Sequence, residues 1–458
     1  MVKTLRNTNF YFSSIGWLGS LKLIFLAFYH LFCSIPGIGF FIDLSKHGDR
    51  FCNKFKNEFG GIGAVRLSSA RSGIYAILTA MDIGEGDEVL VTGFTCSAVP
   101  EPLLYLGVRP IYVDIDPLNF GMDPVHAKKL ITCKTKAIII QHTYGMPASI
   151  KELVKLANEY DLKVIEDCAL ALGSKEGGRL LGTFGDASIF SFELSKTLTI
   201  GWGGIALINQ DKDLANKVNE VVSEAGKLPT IKALKRLLQV GLSGILYRHE
   251  FYRVGGYLVA ILFWIGLFKR SFTEFNHQSL PQDYLKLPSE LQWAILSQMF
   301  DQLGSINDGQ RKKTELYNKT LRNFNCGIVQ KGENEVALIR FPILVLNRHR
   351  FTRLLANNGI EVGQWFDQPV SCDGRNQEEY GYKKGFCPNA DFIANHIVNL
   401  PTHGRLSEKD IGVISRCVSD YLCDYKEERE FIKYSLSSSA NIEHLQNIKN
   451  STRLNPVH

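Results

Sequence analysis

The chain has 458 residues, of which 45% are hydrophobic and 21% are charged, and its formal net charge is +6. This length allows a large core and a second, smaller domain, because single cores stop growing near roughly 250–300 residues. The composition excludes a disordered protein, and dense basic runs beside aromatic residues are missing from the sequence, which predicts that no nucleic acid is bound.

The N-terminal segment, residues 1–60, is apolar to amphipathic. It lacks a basic region followed by an apolar core and a small-residue cleavage site, which predicts a cytoplasmic location. Within it, residues 15–42 are strongly apolar but are interrupted by Lys22, His30 and Pro36. The ten cysteines of the chain are scattered without the close pairs of zinc sites or disulfide frameworks. Reduced thiols and no metal site are therefore expected.

Residues 61–211 alternate short apolar runs with stretches of helical spacing. Continuous β-branched runs are typical of strands buried on both faces of a parallel sheet. The helical stretches, residues 69–88 and 148–162, supply crossovers between such strands. The pattern predicts an α/β domain with a doubly wound, mostly parallel sheet. Its predicted strands lie within 87–94, 109–115, 136–145, 162–173, 186–192 and 204–211.

Residues 212–285 interrupt this order and are predicted to be an insertion. They contain a basic helical stretch, 231–249, and an uncharged apolar stretch, 254–268. A helix needs about 20 apolar residues to cross a bilayer, so the second stretch is too short to span it. Two interpretations of 15–42 and 254–268 stay open. They form helices in the membrane interface with basic flanks near the headgroups, or helices buried against the enzyme core or a partner subunit.

The remaining chain predicts a second folding region at 286–430. Residues 289–322 have the spacing of one long amphipathic helix, and the sequence then alternates short strands and helices to about Tyr421. A small C-terminal domain is expected there. The last residues, 431–458, form a polar tail.

Three features along the sequence are suited to bind one cofactor. Lys196 follows a predicted strand, where partial desolvation lowers the pKa of a lysine and frees its amine for a Schiff base with a carbonyl. Asp167 ends another buried strand and can face the ring nitrogen of pyridoxal phosphate (PLP). The turn at 67–77 opens a helix whose N-terminus can bind phosphate. Each feature alone also fits a solvated lysine, a helix N-cap or an ordinary turn, but their order favours a PLP site.

Several sequence blocks support this interpretation: SSARSG, GEGDEVLVTGFT, VRPIYVDIDPLNFGMD, HTYGMPASI, VIEDCALALGS, GTFGDASIFSFELSKTLTIGWGG, PSELQWAILSQM and VNLPTHGRLSEKDI. By these blocks the chain resembles the DegT/DnrJ/StrS family of sugar aminotransferases from about Gly61 to Tyr421. The resemblance implies the fold-type-I PLP-transferase architecture, with a smaller C-terminal α+β domain.

The resemblance also assigns roles to individual residues. Lys196 would form the Schiff base with PLP, and Asp167 would face the ring nitrogen. Ser191 would contact the phosphate. The phosphate-binding turn would consist of Ala70, Arg71 and Ser72.

Two departures from the family pattern lie beside the expected cofactor ring. Leu170 stands where the family usually has glutamine or histidine against the cofactor. Cys96 stands near the position that often carries an aromatic residue stacked on the ring, and Phe94 is the nearest aromatic. We therefore expect Phe94 and Leu170 to line the cofactor site.

Two further departures concern the phosphate and the subunit contact. Leu285 and Leu287 replace an asparagine and an arginine that, in the family, reach across a dimer to the neighbour's phosphate. Trp202 replaces an acidic residue in the glycine-rich turn after the lysine. Because a guanidinium binds phosphate bidentately, we hypothesise that Arg71 supplies the missing charge.

Three residues near predicted strand ends are candidates for substrate contact, namely His142, Tyr144 and His403. The alternative is that these side chains only pack within the protein, because residues at strand ends can have either role.

The resemblance implies a homodimeric aminotransferase that moves an amino group, with glutamate as the expected donor, to a nucleotide- or lipid-linked keto-sugar. The product would serve surface polysaccharide or glycoconjugate synthesis. Peripheral contact with the inner face of the cytoplasmic membrane is expected from the apolar stretches. Two alternatives remain, a diverged PLP enzyme such as a sugar dehydratase and a non-catalytic membrane-peripheral scaffold.

Overall fold

The computed structural model describes residues 46–246, 252–268, 279–321, 335–372, 375–428 and 431. The apolar stretch 15–42 and the polar tail after residue 431 lie outside these residues. The helices are α1 (His47–Phe59), α2 (Ala70–Ala80), α3 (Pro100–Tyr105), α4 (Pro124–Leu130), α5 (Ile150–Glu159), α6 (Lys212–Ser223), α7 (Thr230–Leu246), α8 (Tyr252–Trp264), α9 (Glu290–Phe300), α10 (Leu303–Leu321), α11 (Arg348–Asn357), α12 (Pro388–His396) and α13 (Glu408–Asp424), with 3-10 turns at Thr143–Gly145 and Gln377–Tyr380. The strands are β1 (Gly63–Leu67), β2 (Glu88–Thr92), β3 (Thr95–Cys96), β4 (Arg109–Val113), β5 (Thr135–Gln141), β6 (Lys163–Asp167), β7 (Lys175–Glu176), β8 (Arg179–Leu180), β9 (Ala187–Ser191), β10 (Gly204–Ile208), β11 (Arg340–Leu344), β12 (Val370–Ser371) and β13 (Ile397–Pro401).

A seven-stranded sheet in the order β1-β10-β9-β6-β5-β2-β4 forms the centre of the large domain. The strands from β9 to β4 run parallel, β10 runs antiparallel to them, and the edge strand β1 pairs antiparallel with β10. Each predicted apolar run overlaps one of these strands. Every residue of β2, β9 and β10 is buried, as continuous apolar runs require. The predicted α/β fold with a mostly parallel sheet is confirmed.

The helix α1 packs its aromatic side chains into the core of the large domain. Phe51 stacks on Trp293 at a centroid distance of 5.9 Å, and Phe55 meets Phe190 edge-on at 4.9 Å. Phe59 lies 4.4 Å from Phe55, and all three phenylalanines of the helix are buried. This helix therefore belongs to the core, although it precedes the first block of the family resemblance.

The single long helix predicted at 289–322 is wrong, because the chain forms two helices there. The break lies at Asp301 and Gln302, between α9 and α10. The two helices have different packing partners, since α9 lies against α1 and α10 lies against α13. The helix predicted there carries apolar residues over 289–303 that could have formed a dimer contact, but most of them, including Trp293 and Leu296, are buried within this chain. They therefore lend no support to the predicted dimer.

The C-terminal region combines a short antiparallel pair, β11 with β13, with the helices α11 to α13. A second contact ties this region to the large domain, because β12 pairs in parallel with β3. The backbone N–H of Thr95 donates to the carbonyl of Pro369 at 2.8 Å, and that of Ser97 donates to Ser371 at 2.9 Å. The loop that precedes β12 is thereby held next to the central sheet.

The segment predicted to be an insertion, 212–285, contains α6, α7 and α8. Leu237 and Val240 of α7 are buried in a cluster with Leu198 and Ile200 of the large domain. α8 instead lies on α7 and exposes much of its apolar surface. Within the described ranges, the helices are all too short or too polar to cross a membrane.

Candidate active site

A cavity lies where β5, β6 and β9 end, at the carboxyl edge of the parallel strands. Gln141 at the end of β5 pairs with Asp167 of β6, which in turn pairs with Ile189 of β9. The neighbouring strand ends therefore present their side chains to one space, as open α/β sheets do. The predicted residues that line this cavity are Ala70, Arg71, His142, Asp167, Leu170, Ser191 and Lys196.

Lys196 lies in the turn that follows β9. Its backbone N–H donates to the carbonyl of Glu193 at 3.4 Å, and Ser195 before it has a left-handed φ of 68°. The side chain reaches the cavity, with Nζ 5.2 Å from the ring centroid of Trp365. Burial lowers the pKa of Lys196, and the charges of Glu193 and Asp167 act in the opposite direction. A lysine with a lowered pKa provides the neutral amine that attacks a carbonyl carbon.

Asp167 is buried at the end of β6, and its Oδ1 accepts a hydrogen bond of 2.9 Å from the N–H of Ala169. Burial raises the pKa of Asp167, whereas the N–H of Ala169 and the charge of Lys196 oppose that rise. A carboxylate buried in this way gains from a cationic partner, because an unpaired buried charge is costly. A protonated ring nitrogen is a cation of that kind.

His142, Glu166 and Cys168 bring potential metal-ligand atoms within 4.8 Å of one another in the described part of the chain. The hydrogen bonds explain this cluster as a structural network. The N–H of Ala148 donates to His142 Nδ1 at 3.2 Å, so Nε2 carries the proton and donates to Glu166 at 3.1 Å. Glu166 also accepts the N–H groups of residues 182, 184 and 185. Because both ring nitrogens of His142 are engaged by protein groups, its predicted substrate contact is not supported.

The predicted phosphate turn forms the N-terminus of α2. Ser69 caps the helix by accepting from the N–H of Ser72, and the Ser72 hydroxyl accepts from the N–H of Ser69. The side chain of Ser72 thus closes a capping box and lies outside the cavity lining, and the place of Ser72 in the phosphate-binding turn stays a prediction. Gly204 allows this helix end to approach β10, since a Cβ there would lie 2.9 Å from the backbone nitrogen of Ala70.

Arg71 points its guanidinium between two carboxylates. Its Nη1 lies 3.4 Å from Glu101, and its Nη2 lies 3.4 Å from Glu193. All three side chains are buried or nearly so, with exposures of 6%, 5% and 11%. Burial acts to lower the pKa of Arg71, but Glu193 and Glu101 raise it above its ordinary value. The arginine is thus fixed at the cavity wall by an internal ion-pair network.

Replacing Arg71 should destabilise the protein and weaken PLP binding. The Arg71→Met variant leaves two buried carboxylates without their cation, which costs about 3–5 kcal/mol for a broken buried pair. Urea unfolding of the apoprotein and PLP titration measure the two effects. Arg109→Met is the matched control, because its guanidinium also lies 3.4 Å from a glutamate but is 73% exposed. An equal loss of stability in both variants would contradict the buried-network interpretation, and equal PLP dissociation constants would contradict a phosphate role.

Three other predicted residues lie outside the cavity lining. Phe94 is fully buried and meets Phe366, a residue of the cavity lining, edge-on at 5.2 Å. The hydroxyl of Tyr144, which is also buried, donates to the carbonyl of Trp365. His403 is buried as well. The predicted cofactor and substrate contacts of these three residues are not supported.

Glu193, Gln141, Trp365 and Phe366 are among the cavity residues that were not singled out as site residues from the sequence. Glu193 lies two residues after the end of β9, whereas Gln141 ends β5 one residue before His142. Trp365 and Phe366 come from the C-terminal region. Strand-end position could have identified Gln141. The two aromatic residues gave no local signal, because the pairing of β12 with β3 brings them to the site from far along the chain.

Comparison with known proteins agrees with this geometry. The chain is 28% identical over 392 residues to a UDP-N-acetyl-3-dehydro-alpha-D-glucosamine 3-aminotransferase of Acidithiobacillus ferrooxidans, which covers 84% of this chain and 92% of the relative. It is 42% identical over 178 residues to a GDP-perosamine synthase of Escherichia coli O157:H7, covering 38% of this chain and 48% of the relative.

Solved structures share the fold. DesV of S. venezuelae, solved in complex with a ketimine intermediate, superposes with a TM-score of 0.66 at 20% identity, covering 90% of this chain and 98% of DesV. PseC of Helicobacter pylori, an aminotransferase involved in the biosynthesis of pseudoaminic acid, gives a TM-score of 0.66 at 18% identity over 91% of this chain and 100% of PseC.

The decisive match is to a whole family. Residues 37–243 and 265–419 fit the sequence model of the DegT/DnrJ/EryC1/StrS aminotransferases. The groups that PLP needs line one cavity of this structure, namely an amine, a carboxylate, a hydroxyl and a helix N-terminus. The chain therefore belongs to the DegT/DnrJ/EryC1/StrS aminotransferase family and is a PLP-dependent enzyme.

Proposed function

We propose that this aminotransferase transfers an amino group from glutamate to a keto-sugar carried on a nucleotide or a lipid, for the synthesis of a surface polysaccharide or glycoconjugate. The observation that carries this proposal is the meeting of Lys196 and Asp167 in one cavity, each with a pKa moved by burial. The names of the two curated relatives described above, which refer to UDP- and GDP-linked sugars, favour a sugar with such a carrier.

Four cavity residues have proposed tasks. Lys196 Nζ would bind the cofactor at its aldehyde and would move a proton to or from the reacting carbon. Asp167 would keep the ring nitrogen protonated. Ser191, Arg71 and the N-terminus of α2 would hold the phosphate. PLP, when bound, supplies the electron sink that makes the proton at the donor's α-carbon acidic.

The aromatic wall gives the site its shape. Trp365 and Phe366 line the cavity, and Trp365 has Lys196 Nζ on its ring at 5.2 Å and the Arg340 guanidinium at 4.1 Å. A flat aromatic surface beside the reacting amine suits the apolar face of a sugar ring and excludes water from the reaction.

A product assay tests the proposal. The holoenzyme is incubated with ¹⁵N-glutamate and a panel of nucleotide-linked keto-sugars, and products are followed by mass spectrometry. We expect the sugar carbonyl oxygen to be replaced by a ¹⁵N amino group and a hydrogen, with 2-oxoglutarate formed in equal amount. Loss of water without gain of nitrogen would instead identify a dehydratase. A protein that takes up no PLP and forms no product would be a scaffold.

We also propose a homodimer, on the strength of the family resemblance. Sedimentation velocity of the holoenzyme at micromolar concentration should give the mass of two chains. A single species with the mass of one chain would contradict the dimer.

A further inference from the structure

One face of α8 exposes apolar side chains to solvent. Tyr257 is 77% exposed and Trp264 is 87% exposed. Three- and four-residue spacing places the whole set on one side of the helix. We call these residues the α8 face: Val254, Tyr257, Leu258, Ile261, Trp264 and Ile265.

The opposite side of α8 packs on α7. A Cβ at Gly255 would lie 1.8 Å from the carbonyl oxygen of Leu246, so only glycine allows this approach. Val259 on the same side is buried. The orientation of α8 is therefore set by its contact with α7, and its apolar face is left outward.

The charge of the sequence around α8 indicates which kind of partner the α8 face binds. Residues 226–273 contain eight lysines and arginines and one acidic residue, Glu250. Two of the eight, Lys227 and Lys232, pair with Glu290 and Asp283 outside this stretch, and the stretch stays basic without them. The apolar segment 1–42 has the same character, with Lys3, Arg6 and Lys22 and no acidic residue. Two basic segments, or two copies of one, repel each other. Both attract the same partner, an apolar surface rimmed by negative charge.

The length of α8 distinguishes lying on a membrane from crossing it. Its 13 residues extend about 20 Å, whereas the hydrocarbon core of a bilayer is about 30 Å thick. The two stretches that match the family leave out 244–264, so the reaction chemistry common to that family does not depend on α8.

We propose that the α8 face lies in the interface of an anionic phospholipid bilayer and attaches the enzyme to it. Tyr257 and Trp264 are suited to the headgroup region, where an amphipathic ring keeps its polar atom in water. Basic residues at the start of α8 and after its end in the sequence, Arg253, Lys269 and Arg270, add attraction to anionic lipid. This attachment holds whichever amino acceptor the enzyme uses.

The helix α7, on which α8 packs, also contacts the loop that contains Lys196. The guanidinium of Arg236 stacks on Trp202 at 3.9 Å, and a Cβ at Gly201 would lie 2.3 Å from Val240 Cγ2. Gly201 and Trp202 belong to the loop between β9 and β10, which also contains Lys196. The helix that carries the membrane-facing α8 thus also contacts the segment that holds the catalytic amine.

Vesicle flotation of the full-length holoenzyme tests the proposal. The probes are phosphatidylcholine vesicles with and without phosphatidylglycerol. The test variant is Ile261→Ser/Trp264→Ser/Ile265→Ser. The control carries the same number of exposed apolar-to-serine changes on other surfaces, Leu118→Ser/Val125→Ser/Phe386→Ser. We expect wild type and control to float with the anionic vesicles, less so at high salt, and the test variant to float at least roughly tenfold less.

Three outcomes would overturn the proposal. Wild type that stays with the soluble fraction shows that the face binds no lipid. A test variant that floats like wild type shows that another segment, such as 15–42, attaches the protein. A test variant that changes the sedimentation of the lipid-free enzyme while the control does not shows that a second copy covers the face.

Discussion

The Lys196→Ala variant is expected to lose transamination by roughly 10²–10⁴-fold or more, the range that a positioned proton-transfer group contributes. The loss follows from the two tasks of one atom, because Nζ both attaches the cofactor and moves the proton. Turnover of glutamate and the absorbance band of the lysine-bound cofactor are the two measurements. Both should disappear, since alanine can neither bind the aldehyde nor accept a proton.

Three comparisons make this result specific to the amine. Lys196→Arg keeps the charge but supplies no attaching amine, and it should be as inactive as the alanine variant. Lys129→Ala changes an exposed lysine on α4 and should be fully active. Added methylamine should restore part of the activity of Lys196→Ala by acting as the missing base. A Lys196→Ala protein that retains the absorbance band and full turnover would remove Lys196 from the mechanism.

Asp167→Asn should lower kcat by roughly a hundredfold, which corresponds to about 3 kcal/mol of lost transition-state stabilisation at 1.4 kcal/mol per tenfold. An amide cannot balance the positive charge of a protonated ring nitrogen, so the electron sink weakens. The asparagine side chain retains the oxygen that accepts from the N–H of Ala169, so the fold should be preserved. Steady-state kinetics and urea unfolding separate the two properties.

The appropriate control is Asp82→Asn, which changes the charge of a side chain that is 87% exposed. We expect its kcat and its stability to match wild type. If Asp167→Asn unfolds readily but retains the kcat of wild type in its folded fraction, Asp167 is a structural residue and faces no cofactor.

The strands and the position of the site could be predicted from the sequence because both depend on local patterns. Continuous apolar runs are required wherever a strand is covered on both faces, so each run marked a strand. Lys196, Asp167 and Ser191 follow or end such strands, and parallel strands bring their carboxyl ends to one edge. Their meeting in the cavity follows from the topology.

Other features could not be predicted, because they depend on partners far away in the chain. The ion pairs of Arg71 join residues 30 and 122 positions apart, so the sequence indicated an arginine near phosphate but not the carboxylates that hold it. The periodicity of 289–322 continues through the break, and only the separate packing of α9 and α10 reveals it. Strand-end position also did not reveal that both ring nitrogens of His142 bond to protein groups, although His142 and Asp167 both line the cavity.

The aromatic cluster of α1 determines where the chain can be shortened. Phe51 and Phe55 lie against Phe192 and Phe190, the two neighbours of Ser191 along the chain. A truncated enzyme that starts near Gly61 would leave a cavity directly behind the strand that presents Ser191. Shortened versions for crystallisation or assay should therefore keep residues 46 onward, and substitutions in α1 should be interpreted as indirect effects on the cofactor site even though the helix never touches it.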